Sequence, residues 1–323
     1  MTDQRPVNTT QITSWDVLEP AGWFDNVIRY KPAKGIFGKL LMMCDLAKKI
    51  RKVSPEILYD LSSYRTKKQH LRDKVFFQWI AGIPDFRGYE IVEKPPKGAD
   101  GFLPRVEPEW KRLLRAVGVN EFHGDYQLSI PEAAQQKTEK LLGELKMQDN
   151  SSLIAMGPGS KMPAKRWPEE RFMELTKKVL AESERIAVLI LGGVEDAEIA
   201  KRLSQQTGRK VYNLAGQLTI YEAAAVLQKC VAYIGNDTGT MHLAAMVKTP
   251  CVAIFSARDY PGWWEPYGEG HIILRKETDC AGCMLEVCEE HNNECINLVI
   301  VDQVFEAAQK LLQSNKKLSI RKE

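Results

Sequence analysis

The amino-acid sequence predicts an α/β protein that contains a parallel β-sheet. From residue 153 onward, short apolar runs typical of buried strands alternate with segments of helical periodicity. Strands that are apolar along their whole length indicate a parallel sheet covered by helices on both faces. The chain has 323 residues, which favours two domains, and 44% of its residues are hydrophobic, which is enough for two buried cores.

The predicted elements fall into two groups along the chain. In the N-terminal half, strands are predicted at 26–30 and 57–61, and helices at 40–53, 75–81, 107–117 and 131–147. A polar stretch at 149–152 suggests a boundary between an N-terminal domain at 1–150 and a C-terminal domain at 151–323. The second half predicts alternating strands and helices, one of them capped by Thr219, at 153–156, 168–181, 186–191, 195–207, 210–214, 219–230, 231–234, 241–247 and 250–255.

Composition and charge exclude several classes of protein. Lys and Arg number 45 against 42 Asp and Glu, so the formal net charge is +3 and we expect no nucleic-acid partner. No apolar run is long enough to predict a membrane span. The N-terminal residues lack a signal-peptide pattern, and the seven cysteines do not resemble a secreted disulfide framework, so we expect a cytoplasmic protein.

The strongest motif is VAYIGNDTGTMHLAA at 231–245, where a predicted strand runs through a polar turn into a helix. Gly235 and Gly239 would let a ligand approach the backbone, and Thr238 lies at a helix start that suits a diphosphate. Asp237 would cap the helix or bind a sugar hydroxyl, and His242 could donate to an oxygen. The alternative is an ordinary capped helix with a packed histidine.

Two further loops follow predicted strands. The loop at 157–168 carries Lys161, Lys165 and Arg166, which could neutralise phosphates, although a solvated basic loop is the common alternative. In the LGGVED loop, Glu195 or Asp196 could accept hydrogen bonds from a ribose diol, because each lies just past a strand end. The alternative for either acid is a helix cap.

Four segments together resemble one known family. GNDTGTMHLAA, KRWPEERF, LGG-x-E and WEPYGEGHIILR are similar to segments of glycosyltransferase family 9, the ADP-heptose:lipopolysaccharide heptosyltransferases. The resemblance is close over about 153–300 and traceable over about 24–89. It implies a GT-B-like fold, in which two Rossmann-like, doubly wound domains face a cleft, with the nucleotide-sugar bound by the C-terminal domain and the acceptor by the N-terminal domain.

The resemblance also implies a set of donor-binding residues. Matched position by position, it gives Lys165 as the phosphate lysine and Glu195 as the ribose-binding acid. It gives Asp237, Thr238 and Gly239 as the diphosphate turn, with His242 one helical turn further on. No cofactor is expected beyond the ADP-sugar substrate, because the basic loop and the helix end already supply positive charge.

The sequence departs from the family pattern at its start. Members of the family begin with a strand and a Gly-Asp loop whose aspartate is the proposed general base. Asp16 lies in a similar context, but the segment at 24–30 follows too soon, so the first strand of the N-terminal domain is expected to be missing. We interpret Asp16 as structural, and the base stays unassigned. The chain is then a shortened enzyme, or a paralogue that binds a nucleotide-sugar without transferring it.

A basic region in the N-terminal half is the candidate acceptor surface. Residues 31–74 contain 12 basic and 4 acidic side chains. Arg65 and Lys68 are the candidate residues for an anionic acceptor such as a phosphorylated glycolipid core. Such an acceptor would place the protein at the inner membrane surface. The alternative is a solvated helix face.

Four cysteines lie close together in the C-terminal half. Cys280, Cys283, Cys288 and Cys295 begin with a Cys-x2-Cys pair, so a structural zinc site is one interpretation and unliganded thiols are the favoured one.

The function expected from these observations is inverting transfer of a sugar, heptose by resemblance, from an ADP-activated donor to a lipopolysaccharide-core-like acceptor. The non-catalytic paralogue is the main alternative. A nucleotide-sugar epimerase of similar architecture is a third interpretation.

Overall fold

The computed structural model describes the chain between residues 28 and 320 with several gaps. The described residues are 28, 33–61, 66–87, 93–120, 127–145, 147, 151–208 and 210–320, with side chains to residue 313. They form two compact units, one within 21–95 and 107–124, the other within 96–106 and 125–320. The domain boundary at 150/151 stays a prediction. Asp16 and most of the predicted strand at 26–30 lie outside the described residues.

The first unit contains helices and one short pair of strands. Its elements are α1 (Ile36–Val53), β1 (Ile57–Tyr59), α2 (Lys67–Lys74), a π-helical continuation (Val75–Ile80), β2 (Asp85–Arg87) and α3 (Glu109–Ala116). β1 and β2 pair in parallel. The predicted elements at 40–53, 57–61, 75–81 and 107–117 are confirmed with shifted ends, whereas the sequence did not predict α2 or β2.

α1 supplies much of the core of the first unit. The helix begins after Gly35 and ends at Ser54, whose left-handed backbone (φ 51°) stops it. Its buried residues recur at helical spacing and pack with the segment after α2 in a cluster of Leu46, Ala47, Ile50, Phe76, Ala81 and Ile83.

The second unit alternates strands and helices along almost its whole length. Its elements are α4 (Glu132–Glu144), β3 (Ser152–Gly157), α5 (Glu169–Ala181), β4 (Ile186–Ile190), α6 (Ala197–Thr207), β5 (Val211–Asn213), α7 (Ile220–Gln228), β6 (Ala232–Asn236), α8 (Gly239–Met246), β7 (Cys251–Phe255), β8 (Ile272–Arg275), α9 (Glu294–Asn297) and α10 (Val301–Ile320). The predicted cap of α7 is confirmed, because the Thr219 hydroxyl accepts the Glu222 N–H at 3.3 Å. None of the helices in the described part of the chain combines the length and the apolar character that a membrane span needs.

The six strands of the second unit form one parallel sheet in the order β5-β4-β3-β6-β7-β8. The chain starts at the centre, winds to one edge, returns to the centre at β6 and winds to the other edge. This is the doubly wound arrangement, in which ligands bind at the carboxyl ends of the strands where the order reverses. That point lies between β3 and β6, and the predicted parallel sheet is confirmed.

Helices cover both faces of this sheet. Successive residues of β3 point to opposite faces, so Leu153 and Ala155 belong to one core and Ile154 and Met156 to the other. The first core includes residues of α4, α7 and α8, and the second includes residues of α5, α6 and α10. Burial on both faces explains why the strands are apolar along their whole length.

His271 lies immediately before the edge strand β8 and connects the start of β7 to the loop that precedes β8. Its Nδ1 accepts the backbone N–H of Cys251 at 3.1 Å, so the other nitrogen, Nε2, donates to the carbonyl of Tyr267 at 3.0 Å. This pair of bonds requires a neutral imidazole. Burial lowers the pKa of His271, although the bond to Tyr267 partly opposes this effect.

We predict that His271 makes the protein less stable in mild acid. Because the pKa is lowered in the folded state, the unfolded chain binds this proton more readily, and the free energy of unfolding falls as the pH drops below the usual histidine value. His271→Gln can keep both hydrogen bonds without titrating. Denaturant unfolding between pH 7 and pH 5 should therefore show a smaller loss of stability in H271Q than in the natural sequence. Equal losses in the two proteins would contradict this role.

Candidate functional site

The candidate site lies where β3 and β6 end. Gly157 and Gly235 are opposite each other in the register of these strands. A Cβ atom would lie 2.0 Å from the Tyr233 hydroxyl if built on Gly157, and 2.5 Å from it if built on Gly235. The interpretation of Gly235 as a point of ligand approach is therefore wrong, since its missing side chain makes room for Tyr233.

A row of hydroxyl groups leads from the core to the turn after β6. The Tyr233 hydroxyl is 3.0 Å from the Thr240 hydroxyl, which is 2.8 Å from the Thr238 hydroxyl. Burial raises the pKa of the Tyr233 phenol, so this group stays protonated and can donate. The row fixes Thr238 in an extended backbone conformation immediately before α8.

Lys165 occupies the centre of the site. It ends a short 3₁₀ turn (Pro163–Lys165) in the loop after β3, and its side chain is buried. Its Nζ lies 2.5 Å from Asp237 Oδ2 and 2.8 Å from Asp259 Oδ2. The loops after β3, β6 and β7 therefore meet at one ammonium group.

Asp259 is held in place by Arg258. Arg258 Nη1 lies 2.7 and 2.9 Å from the two carboxylate oxygens of Asp259. The rest of the guanidinium donates to the carbonyls of Leu285 and Met284 at 2.6 and 2.7 Å. Lys165 and Arg258 thus balance the charges of Asp237 and Asp259. Asp259 was not among the residues predicted from the sequence, although its position shortly after an apolar strand was the available signal.

His242 lies beside the same carboxylate. Its Nε2 is 3.8 Å from Asp237 Oδ1, which is too long for a hydrogen bond, and its ring packs edge-on to Trp264 with centroids 6.4 Å apart. Desolvation lowers the pKa of His242, the Lys165 charge adds to this effect, and Asp237 opposes it. The imidazole is therefore neutral at pH 7 and can offer one donor and one acceptor.

Asn236 fixes the loop that carries Lys165. Its side-chain amide donates to the carbonyl of Pro158 at 2.7 Å, and its side-chain oxygen accepts the N–H of Trp167 at 3.1 Å. The Trp167 indole in turn donates to the carbonyl of Val299 at 2.8 Å. The Asn in the GND motif and the Trp in the KRW motif are therefore structural. They set the distance between the loop after β3 and the turn after β6.

The two acids after β4 have different surroundings. Asp196 is buried, accepts the N–H of Gly193 at 3.0 Å, and lies so close to Gly159 that a Cβ there would be 1.9 Å from its Oδ1. Burial raises the pKa of Asp196. Glu195 is exposed on the same loop. Asp196 thus packs its loop against the loop that follows β3, which leaves Glu195 as the acid that a ligand could reach.

Gly239 opens the site to solvent. It is the first residue of α8 and is exposed, and a Cβ built on it would meet no atom within 4 Å. The first N–H groups of α8 have no partner within the helix and carry the positive end of its dipole. The structure thus brings together Lys165, Asp237, Thr238, Gly239 and His242, and places Glu195 one strand away.

The remaining predicted residues lie elsewhere. Arg65 is outside the described residues, and Lys68 is exposed in the first turn of α2. The four clustered cysteines do not form the zinc site considered from their spacing, since no group of metal-binding side chains occurs in the described ranges. Cys295 is buried and its Sγ accepts the N–H of Ala257 at 3.3 Å, while backbone bonds tie the loop to the end of β7.

The sequence matches the model of one known family. That family is described as glycosyltransferase family 9 (heptosyltransferase), and the match spans residues 100–293, more than half of the chain. Lipooligosaccharide heptosyltransferase 2 of Haemophilus ducreyi is 31% identical over 156 residues, which are 46% of this chain and 44% of that protein. The chain spans about half the length of the curated relatives that it matches.

Two solved structures share the fold. The glycosyl transferase family 9 structure from Veillonella parvula DSM 2008 superposes with a TM-score of 0.64 at 20% identity, covering 93% of this chain and 85% of its own. The structure of Escherichia coli ADP-heptose lps heptosyltransferase II has a TM-score of 0.57 at 18% identity, covering 86% and 82%. These similarities confirm the predicted α/β, GT-B-like fold. By the match over more than half of its length, the chain belongs to glycosyltransferase family 9.

Proposed function

We propose that this chain is an inverting glycosyltransferase that moves heptose from an ADP-activated donor to a lipopolysaccharide-core-like acceptor. The observation that carries the proposal is the position of Lys165, whose ammonium lies at the reversal point of the sheet beside the start of α8. Both features suit the diphosphate of a nucleotide-sugar. Family membership and the relatives' names, which are those of heptosyltransferases, support heptose as the sugar.

Lys165 and α8 together can stabilise the leaving diphosphate. An ammonium group has three N–H donors, and two of those on Lys165 point at Asp237 and Asp259, which leaves the third for a phosphate oxygen. Without ligand the buried charges of the site balance, so the added positive potential comes from the N-terminus of α8 at Gly239 and from Lys161 and Arg166, which are exposed in the loop after β3. Negative charge grows on the diphosphate as the glycosidic bond breaks, and fixed donors lower the barrier most at that moment.

Other residues of the site are suited to the nucleoside and the sugar. Glu195 is exposed in the loop that follows β4, where a carboxylate can accept both hydrogen bonds of a ribose diol. His242 is neutral and can donate to a sugar or phosphate oxygen. Oδ1 of Asp237, the oxygen turned towards His242, is the acceptor for a sugar hydroxyl. In this mechanism the protein's own positive groups stabilise the charge of the diphosphate, so no further cofactor is required.

Inversion also requires a base that takes the proton of the acceptor hydroxyl on the face opposite the diphosphate. Asp16 is the sequence candidate for this base, or else it is structural.

We assign Arg65 and Lys68 to the acceptor, because a phosphorylated glycolipid core is anionic. An acceptor of this kind would be met at the cytoplasmic side of the inner membrane.

We predict that Gly239→Ala weakens ADP binding without weakening the fold. The new methyl group meets no protein atom, and alanine favours a helix over glycine by up to about 1 kcal/mol, so thermal unfolding should stay unchanged or rise. The same methyl group crowds the diphosphate at the start of α8, and titration calorimetry should show about tenfold or greater loss of ADP affinity.

Gly143→Ala is the matched control. Gly143 lies in α4, and a Cβ there also meets nothing within 4 Å. ADP affinity should be unchanged in this variant. An ADP affinity of G239A equal to that of G143A would refute the placement of the diphosphate.

The direct test of activity is transfer to a deacylated, heptose-free core oligosaccharide in solution. We expect the chain to add one heptose to this acceptor and to release ADP, both measured by mass spectrometry. Tight binding of ADP-heptose without transfer would contradict the proposal and favour the non-catalytic paralogue. Conversion of the ADP-sugar in the absence of acceptor would contradict it as well and indicate an epimerase.

A further inference from the structure

The first two turns of α1 expose an unusual group of large apolar side chains. Ile36, Phe37, Leu40 and Leu41 are 77%, 84%, 54% and 72% exposed. Residues spaced at i, i+1, i+4 and i+5 lie on one face of a helix. We call these four residues the α1 apolar face.

The α1 apolar face lies in the half of the helix that does not hold α1 in its unit. The buried residues of the helix, Leu46, Ala47 and Ile50, all lie in its second half and pack in the core of the first unit. The first half instead presents two leucines, an isoleucine and a phenylalanine to the outside. A contiguous exposed apolar group of this kind marks an interaction surface.

Lysines continue the α1 apolar face further along the helix. Residues 34–52 contain six basic side chains and one acidic side chain, Asp45, which pairs with Lys49 at 2.7 Å. Lys48 and Lys52 follow Leu41 by 7 and 11 residues, spacings that bring them to the same face of the helix further along its axis. Both lysines are exposed. One face of α1 therefore begins apolar and ends strongly basic.

We propose that this face of α1 docks the protein onto an anionic lipid bilayer. The apolar side chains would enter the boundary between headgroups and acyl chains, while the lysines contact lipid phosphates. The charge pattern favours an anionic bilayer over a second copy of this chain, because residues 34–52 of a second copy offer one acidic side chain to these lysines, Asp45, which already pairs with Lys49. The inference builds on the proposed function only in that a glycolipid acceptor would lie in such a bilayer.

The test is co-sedimentation of the full chain with vesicles that contain no glycolipid and no nucleotide-sugar. Phosphatidylglycerol–phosphatidylethanolamine vesicles are compared with phosphatidylcholine vesicles. We expect binding to the anionic vesicles only, and weaker binding as salt rises from 0.05 to 0.5 M, on the order of a tenfold change. Because no substrate is present, the result is independent of whether the chain transfers heptose.

Two double variants separate the apolar and the basic contributions. Phe37→Ser with Leu41→Ser should lower the vesicle partition coefficient at least about tenfold without changing the net charge. Lys48→Gln with Lys52→Gln should weaken binding and reduce its salt dependence. The matched control is Leu298→Ser with Ile300→Ser, which removes two half-exposed apolar side chains of the second unit and should bind as the natural sequence does. Circular dichroism and ADP binding check that every variant is folded.

Three results would overturn the proposal. One is failure of the natural sequence to bind anionic vesicles. Another is equal vesicle binding by F37S/L41S and the control variant. The third is a dimer, seen by analytical ultracentrifugation without vesicles, that F37S/L41S abolishes while vesicle binding persists, since this would assign the face to self-association.

Discussion

A buried lysine between two carboxylates constrains every loop at the carboxyl edge of the large sheet. Removing Lys165 from water costs several kcal/mol, and only close, well-oriented partners offset such a cost. Asp237 and Asp259 supply these partners from the loops after β6 and β7. The three loops can therefore adopt few arrangements relative to one another, and a ligand meets donors that are already in place.

The surrounding residues maintain this arrangement through directional hydrogen bonds. Arg258 balances the second carboxylate and ties it to the loop at 284–285, and Asn236 ties the loop after β3 to the end of β6. Tyr233 fills the space left by two glycines and supports the turn through Thr240. A site built in this way is preorganised, which is what stabilisation of a leaving diphosphate demands. Helix α1, with its apolar first turns and its lysines, belongs to the other unit and is the surface that we propose for contact with lipid.

The sequence was most informative where the periodicity of the chain is strong. The strand, turn and helix around Asp237 were predicted because an apolar run, two glycines and a polar turn occur together. β8 was missed because its four residues are only half-buried and lack a clear pattern, and α2 was missed because it is almost entirely polar. The position of Asp259 shortly after an apolar strand marks it as a candidate, but its contact with Lys165 joins loops that are far apart in sequence and has no local signal. The role of Gly235 depends on where the side chain of Tyr233 lies in the same strand, which the apolar pattern does not reveal. Spacing alone also suggested zinc for the four clustered cysteines, whereas in the structure Cys295 accepts a backbone N–H from Ala257.

A crystal structure of the chain with bound ADP will show whether Lys165 and the start of α8 hold the diphosphate. We expect a phosphate oxygen within hydrogen-bond distance of Lys165 Nζ and of a backbone N–H at Gly239 or Thr240, with the ribose beside Glu195. ADP bound with its phosphates away from Lys165 would contradict the proposed site.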